Sequence, residues 1–203
     1  RINHDCRPNS HYYFDKKTFT HHVHAARTIL PGEEITISYI SPYLALAERT
    51  ERIVNQWGFT CSCSQCTAPK QFSDASDARV SLIYELEGEL DDLSPNRTAT
   101  PETAELLISL YEQERFEVPI AEAYTYAALE YAYVGNKEMA RKYAALAVER
   151  NLLWLGPRSK YVSGMAVLME EPEVHASWRY LEKRGNATVD ADGGDRLRRN
   201  SVI

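Results

Sequence analysis

Apolar positions recur along this chain at two spacings. In the opening stretch they alternate. Ile35, Ile37 and Tyr39 are interleaved with Thr36 and Ser38, the period of a half-buried strand. Tyr12-Tyr13-Phe14 and Thr18-Phe19-Thr20 are rich in strand formers and flank the turn-prone Asp15-Lys16-Lys17. They predict a hairpin over 11–20, with 21–26 extending its second strand. Pro31-Gly32 predicts a type II turn, in which Pro presets the first corner and Gly takes the positive φ.

From Tyr43 the period lengthens to that of helices. One is expected over 43–56, opened by Ser41-Pro42. The polar run 70–77 reads as a linker. Val80, Ile83, Leu86 and Leu90 then form one stripe of a helix over 78–93. Thr100 caps the next helix with Pro101 at its first position, and Leu106, Leu107, Leu110 and Tyr111 make its apolar face. Pro119 opens a helix to Val134, Gly135-Asn136 ends it and caps another over 137–151, and Gly156-Pro157 breaks the chain again. Helices over 158–169 and 173–183 follow. The Gly-, Asp- and Arg-rich end, 185–203, has little to bury and reads as disordered. The fold class is therefore α+β, with a β-rich opening and a helical remainder.

Composition narrows the function classes. The 203 residues carry a formal charge of −6, without the basic footprint of a general nucleic-acid binder. That balance suits a cationic substrate. No apolar run reaches membrane-spanning length, and no secretory hydrophobic segment is visible. All four cysteines, Cys6, Cys61, Cys63 and Cys66, lie in the first third. Four thiolates suit one tetrahedral zinc ion. Cys61-x-Cys63-x-x-Cys66 is compact enough for one metal, and Cys6 supplies the fourth ligand. Two disulfides or four free thiols are the alternatives, although Cys61 and Cys63 are too close in sequence for easy separate bridges.

Three blocks stand in order: Asn3-His4-Asp5-Cys6-Arg7-Pro8-Asn9, then Gly32-Glu33-Glu34-Ile35-Thr36-Ile37-Ser38-Tyr39, then Phe59-Thr60-Cys61-Ser62-Cys63-Ser64-Gln65-Cys66. Together they resemble the C-terminal half of a SET domain and its zinc-binding post-SET segment, most nearly in the SET-and-MYND subfamily and its fungal relatives. The resemblance implies a protein-lysine N-methyltransferase using S-adenosylmethionine. It implies Tyr39 at the reaction centre, Asn3, His4, Tyr39 and Phe59 at the methyl donor, and Trp57 on the substrate channel. Zinc would lie on Cys6, Cys61, Cys63 and Cys66. Trp57 stands where related sequences often carry a tyrosine; it can wall a channel but has no hydroxyl. A complete SET domain also has an upstream glycine-containing strand that nothing here matches, so a fragment is expected.

The expected layout is residues 1–69 for the SET part and zinc segment, 70–100 for a linker and helix, 101–185 for a helical domain resembling tetratricopeptide repeats, and 186–203 for a tail. Tyr124, Ala127, Ala128, Tyr131, Gly135, Ala140, Ala144 and Ala147 carry that last resemblance. The expected partner is a lysine-containing protein, a histone tail or another, with no direct nucleic acid, no membrane, a monomeric state and a nuclear or cytoplasmic location. The competing reading is a non-catalytic interaction scaffold. His21, His22 and His24 read as a solvated strand edge, and Glu33-Glu34 as solvent-facing acids beside a turn.

Overall fold

The computed structural model describes residues 1–187, in which four short strands precede seven helices. β1 (Asn3–His4) pairs in parallel with β4 (Thr36–Ile37), with Asn3 opposite Thr36 and His4 opposite Ile37. β2 (Ser10–Asp15) and β3 (Thr20–Ala25) form the antiparallel hairpin between them. The second strand begins at Thr20 rather than Thr18. The Asp15 carboxylate accepts from the backbone N–H groups of Lys17 at 2.9 Å and Thr18 at 3.4 Å, and Phe19 takes a φ of 55°, so these residues make the turn. The Pro31-Gly32 turn forms as expected, with Gly32 at φ 85° and the Glu33 N–H on the Leu30 carbonyl at 3.0 Å. The strand expected over 35–39 contracts to two residues, because the Tyr39 N–H donates to the His4 ring instead of a ladder.

α1 (Leu46–Trp57) starts three residues later than its periodicity suggests. Tyr43 is drawn off the helix into a ring cluster with Tyr111 and Phe116, centroids 5.9 and 5.2 Å away. The free N–H groups of the first turn are met by carboxylates, Leu46 on Asp77 at 2.9 Å and Ala45 on Glu48 at 3.3 Å. Residues 70–77 are not a linker but the first two turns of α2 (Lys70–Asp91), where Ser73 and Ser76 are buried. The stripe Val80, Ile83, Leu86 and Leu90 is buried as expected.

α3 (Pro101–Gln113) buries Ala104, Leu107, Ile108, Leu110 and Tyr111 and leaves Leu106 exposed, a rotation of the expected face. α4 (Ile120–Tyr133) and α5 (Lys137–Leu155) pack as a close hairpin. Ala127, Ala128, Ala140, Ala144 and Ala147 are wholly buried, so small side chains admit the close approach of the two helices. Asn136 caps α5 by accepting from the Met139 N–H at 3.2 Å. α6 (Lys160–Glu170) and a 3-10 turn (Pro172–Val174) follow. No single helix covers 173–183. Arg179, at φ 51°, donates its N–H to the Ala132 carbonyl at 2.8 Å, and α7 (Tyr180–Ala187) begins only after that anchor. Asn186 and Ala187, expected in the tail, close α7; the rest of that stretch, from Thr188, lies outside the described residues. No described helix is long and apolar enough to cross a membrane.

The hairpin docks on the end of α5. Gly156, at φ 78°, faces the Tyr13 ring so closely that a Cβ would sit 2.5 Å from a ring carbon. Only glycine satisfies both the backbone and the contact. Gly156→Ala is expected to lower stability by about 1–3 kcal/mol, read from the denaturant midpoint, whereas Gly88→Ala, with open space at its Cβ, should not lower it.

Behind Tyr43 lies a half-buried chain of oxygens. Tyr43 Oη donates to Glu122 at 3.0 Å, Tyr111 Oη lies 3.1 Å from Tyr43 Oη, and Tyr111 also meets Glu87. Burial pushes the Glu87 carboxyl up to about 7 from 4.5, with Glu122 and Asp91 adding repulsion and Tyr111 opposing. The folded chain therefore holds the Glu87 proton where the unfolded chain has lost it. The stabilisation is complete below about 4.5 and is lost as pH rises through about 7. Glu87→Gln should keep the wild-type melting temperature near pH 5 and exceed it near about pH 8.

Candidate functional site

The opening block and the residues after α1 meet at the cysteines. The four Sγ atoms lie within 4.8 Å of one another, with Cys6 and Cys66 3.6 Å apart, and none is in a disulfide. Tetrahedral zinc–thiolate bonds place sulfurs about 3.8 Å apart, so the set has the size and chemistry to hold one metal ion. Cys6 is buried and shares a small apolar cluster with Ile53 of α1 and Cys61. Cys63 and Cys66 are joined by a tight turn, the N–H groups of Cys66 and Thr67 both donating to the Cys63 carbonyl at 3.0 Å. Hydrogen bonds from Cys6 and Cys66 depress the Cys63 thiol strongly, and the matching bonds raise Cys6. Burial raises Cys61 to about 12. Among the described residues, no other His, Cys, Asp or Glu group of three or more converges in this way.

Four aromatic rings gather beside the cysteines. Tyr39 is 4.5 Å from Trp57, 5.3 Å from His4 and 6.5 Å from Phe59 between centroids, and His4 is 6.2 Å from Phe59. Both His4 nitrogens are engaged. Nδ1 accepts the Tyr39 backbone N–H at 3.0 Å, and Nε2 lies 3.4 Å from the Cys6 sulfur. The Tyr39 hydroxyl donates to the Ile2 carbonyl at 2.5 Å. The Asn3 amide turns outward to Glu34, 2.6 Å away. Trp57 and Phe59 remain partly exposed, at 48% and 37%.

Tyr39 and Cys6 also line a cleft of about 680 Å³. Its walls come from β2, the segment 38–42, α1 through Arg52 and Gln56, the connection 115–119, and Trp154 of α5. Of the residues expected at the site, Asn3, His4, Trp57 and Phe59 do not line this cleft. His4, Trp57 and Phe59 stand instead with Tyr39 in the ring group beside the cysteines, while Asn3 is exposed on Glu34.

Two groups were missed by sequence reasoning. Asn9 is buried. Its side chain accepts the Thr36 N–H at 3.0 Å and donates to the Glu34 carbonyl at 2.8 Å and to Glu33 at 3.0 Å, which holds the β1–β4 unit together. Glu33 is therefore not a free solvent-facing acid. Its bonds from Arg27 and Asn9 hold it down to about 2. Arg7 is also buried. Its guanidinium meets Glu114 at 2.6 Å, donates to the Cys6 carbonyl at 2.9 Å and lies 4.4 Å above the Phe116 ring. Glu114 in turn accepts from Ser76 and Arg79, each at 2.7 Å. Asn9 and Arg7 lie inside the opening block, and that position was their only signal. Glu114, 107 positions further on, had none. The histidines also differ from expectation. His22 and His24 stack on Tyr13, at 4.9 and 5.6 Å, and are half-buried rather than solvated.

Residues 1–40 match the family model described as the SET domain. A SET and MYND domain-containing protein of Dictyostelium discoideum is 40% identical over 65 residues, covering 32% of this chain and 19% of that protein. The histone-lysine N-methyltransferase set5 of Schizosaccharomyces pombe is 37% identical over 71 residues, 35% of this chain and 22% of that protein. N-lysine methyltransferase SMYD2-B of Danio rerio is 36% identical over 66 residues, 32% of this chain and 15% of that protein. The matches thus span about a fifth of these relatives or less.

The joint between the cysteines and the helices is open to direct test. Arg7→Met leaves the buried Glu114 carboxylate with only Arg79 and Ser76 and is expected to cost about 3 kcal/mol in unfolding free energy. Combining it with Glu114→Gln should recover part of that loss, as a double-mutant cycle would measure.

Proposed function

With its opening forty residues being SET-domain sequence of the SET-and-MYND kind, we propose that the protein is an S-adenosylmethionine-dependent protein-lysine N-methyltransferase. Zinc on Cys6, Cys61, Cys63 and Cys66 completes its site. One observation carries the reading: Tyr39 belongs at once to the cleft wall and to the aromatic group beside the four sulfurs. A reaction centre needs that double position, with substrate on one side and donor on the other.

When bound, S-adenosylmethionine supplies an electrophilic methyl group. The residues of this chain do the rest. The Tyr39 hydroxyl orients the substrate amine, and its ring narrows the passage. Asn3 and His4 contribute to the donor side through side-chain amide and backbone groups, and Phe59 offers a face for the adenine ring. Trp57 packs on Tyr39 and supports the channel wall. Cys6, Cys61, Cys63 and Cys66 would hold the zinc ion, which would keep Phe59 and the following loop against the opening block. The helical half, of tetratricopeptide-like form, supplies the far wall of the cleft through residues 115–119 and Trp154. The substrate is a lysine-bearing protein, as the names of the fungal relatives suggest for histones.

The test is transfer of radiolabelled methyl groups by the full-length protein to lysine-containing proteins, histones among them. Tyr39→Phe is expected to lower the rate by about 100-fold or more while the circular dichroism spectrum stays unchanged. Chelation should weaken donor binding. Failure of the wild type to transfer methyl to any such substrate would overturn the enzymatic reading and favour a SET-like interaction scaffold.

A further inference from the structure

His4 joins two parts of the site, the Cys6 sulfur and the Tyr39 backbone. The Tyr39 backbone N–H points at Nδ1 from 3.0 Å. That nitrogen must therefore present its lone pair, which leaves the ring proton on Nε2. Nε2 faces the Cys6 sulfur at 3.4 Å, within range of an N–H···S hydrogen bond. The tautomer follows from the amide rather than from the sulfur. Zinc binding would take the proton from Cys6 and leave a thiolate, and a thiolate is the better acceptor for Nε2–H.

We propose that His4 is a positioning residue, whose imidazole couples the metal-bearing sulfur of Cys6 to the backbone of Tyr39. The inference rests on the zinc reading above. Its consequence is directional. Loading the metal strengthens the contact at Nε2, which fixes the ring, and the fixed ring holds the Tyr39 amide. The hydroxyl of Tyr39 is anchored separately, at the Ile2 carbonyl just before β1. With the metal loaded, the backbone and the phenol are then held by β1 and by the residue just before it. The ring also explains why β4 ends at Ile37. The donor that would continue the ladder is captured by a side chain from the partner strand.

Two substitutions separate the halves of the link. His4→Asn places an acceptor where Nδ1 stood but leaves Cys6 without its donor. His4→Gln reaches toward Cys6 but cannot serve the Tyr39 amide. In the zinc-loaded full-length protein, His4→Asn should weaken zinc binding about tenfold or more in chelator competition. It should also shift the thiolate charge-transfer band of the cobalt-substituted protein, while Tyr39 stays protected from amide exchange. His4→Gln should leave the metal affinity within about threefold and speed exchange at Tyr39. Exchange at Asp5, whose N–H donates to the Ile37 carbonyl in the same strand pair, should not change.

Should either variant fail to fold, the wild type decides. Chelation is expected to accelerate exchange at Tyr39 more than at Asp5, and equal response of the two amides overturns the link. Intact zinc binding that ignores both substitutions defeats the role of His4 alone. A wild-type protein that binds no zinc defeats the metal reading as well.

Discussion

Everything distinctive in the first third depends on the convergence of four sulfur atoms. Cys6 follows β1, and the other three follow α1, so their meeting closes a loop of more than fifty residues. The strand pair that ties this loop to the segment before Cys6 is too short to hold it. β1 and β4 contribute two residues each. The apolar cluster beneath the sulfurs is built on Ile53 and is equally small. A bound metal ion would close the loop with a strength that no set of contacts of this size matches. The aromatic rings of His4, Tyr39, Trp57 and Phe59 would then be brought into register by the metal more than by packing.

The sulfur cluster is not an appendage of the helical half. Arg7, the residue after Cys6, enters the junction of α2 and α3 and meets Glu114 directly at 2.6 Å. A buried pair of this kind contributes little net stability but strongly penalises any arrangement that separates its members. It therefore fixes the orientation of the cysteines relative to the helices. The cleft lies between these two halves, so its shape is tied to the same pair. Gly156 against Tyr13 and the Tyr43 ring cluster hold the remaining sides.

What could be read from the sequence was local chemistry. The cysteine spacing, the Gly32 turn, the Asn136 cap and the stripe of α2 each follow from residue types within one element. What could not be read was imposed from elsewhere in the chain. Residues 70–77 are polar in part because Ser76 faces Glu114 and Asp77 caps α1, which looks like a linker until the partners are known. Tyr43 has helical spacing but is pulled into the core by Tyr111 and Phe116. The strand at 36–37 is cut short by the His4 ring. Of the proposed site, the grouping of the four sulfurs, with Tyr39 near them, was legible. The burial of Arg7 and Asn9 and the two-sided use of His4 were not, because each depends on a partner chosen by the fold.

The most direct measurement is X-ray absorption at the zinc edge on the purified protein. Four sulfur neighbours per zinc at about 2.3 Å are expected, with no nitrogen or oxygen in the shell. A shell containing nitrogen or oxygen, or a folded protein that retains no metal and titrates as four free thiols, would contradict the arrangement on which Tyr39 and its cleft depend.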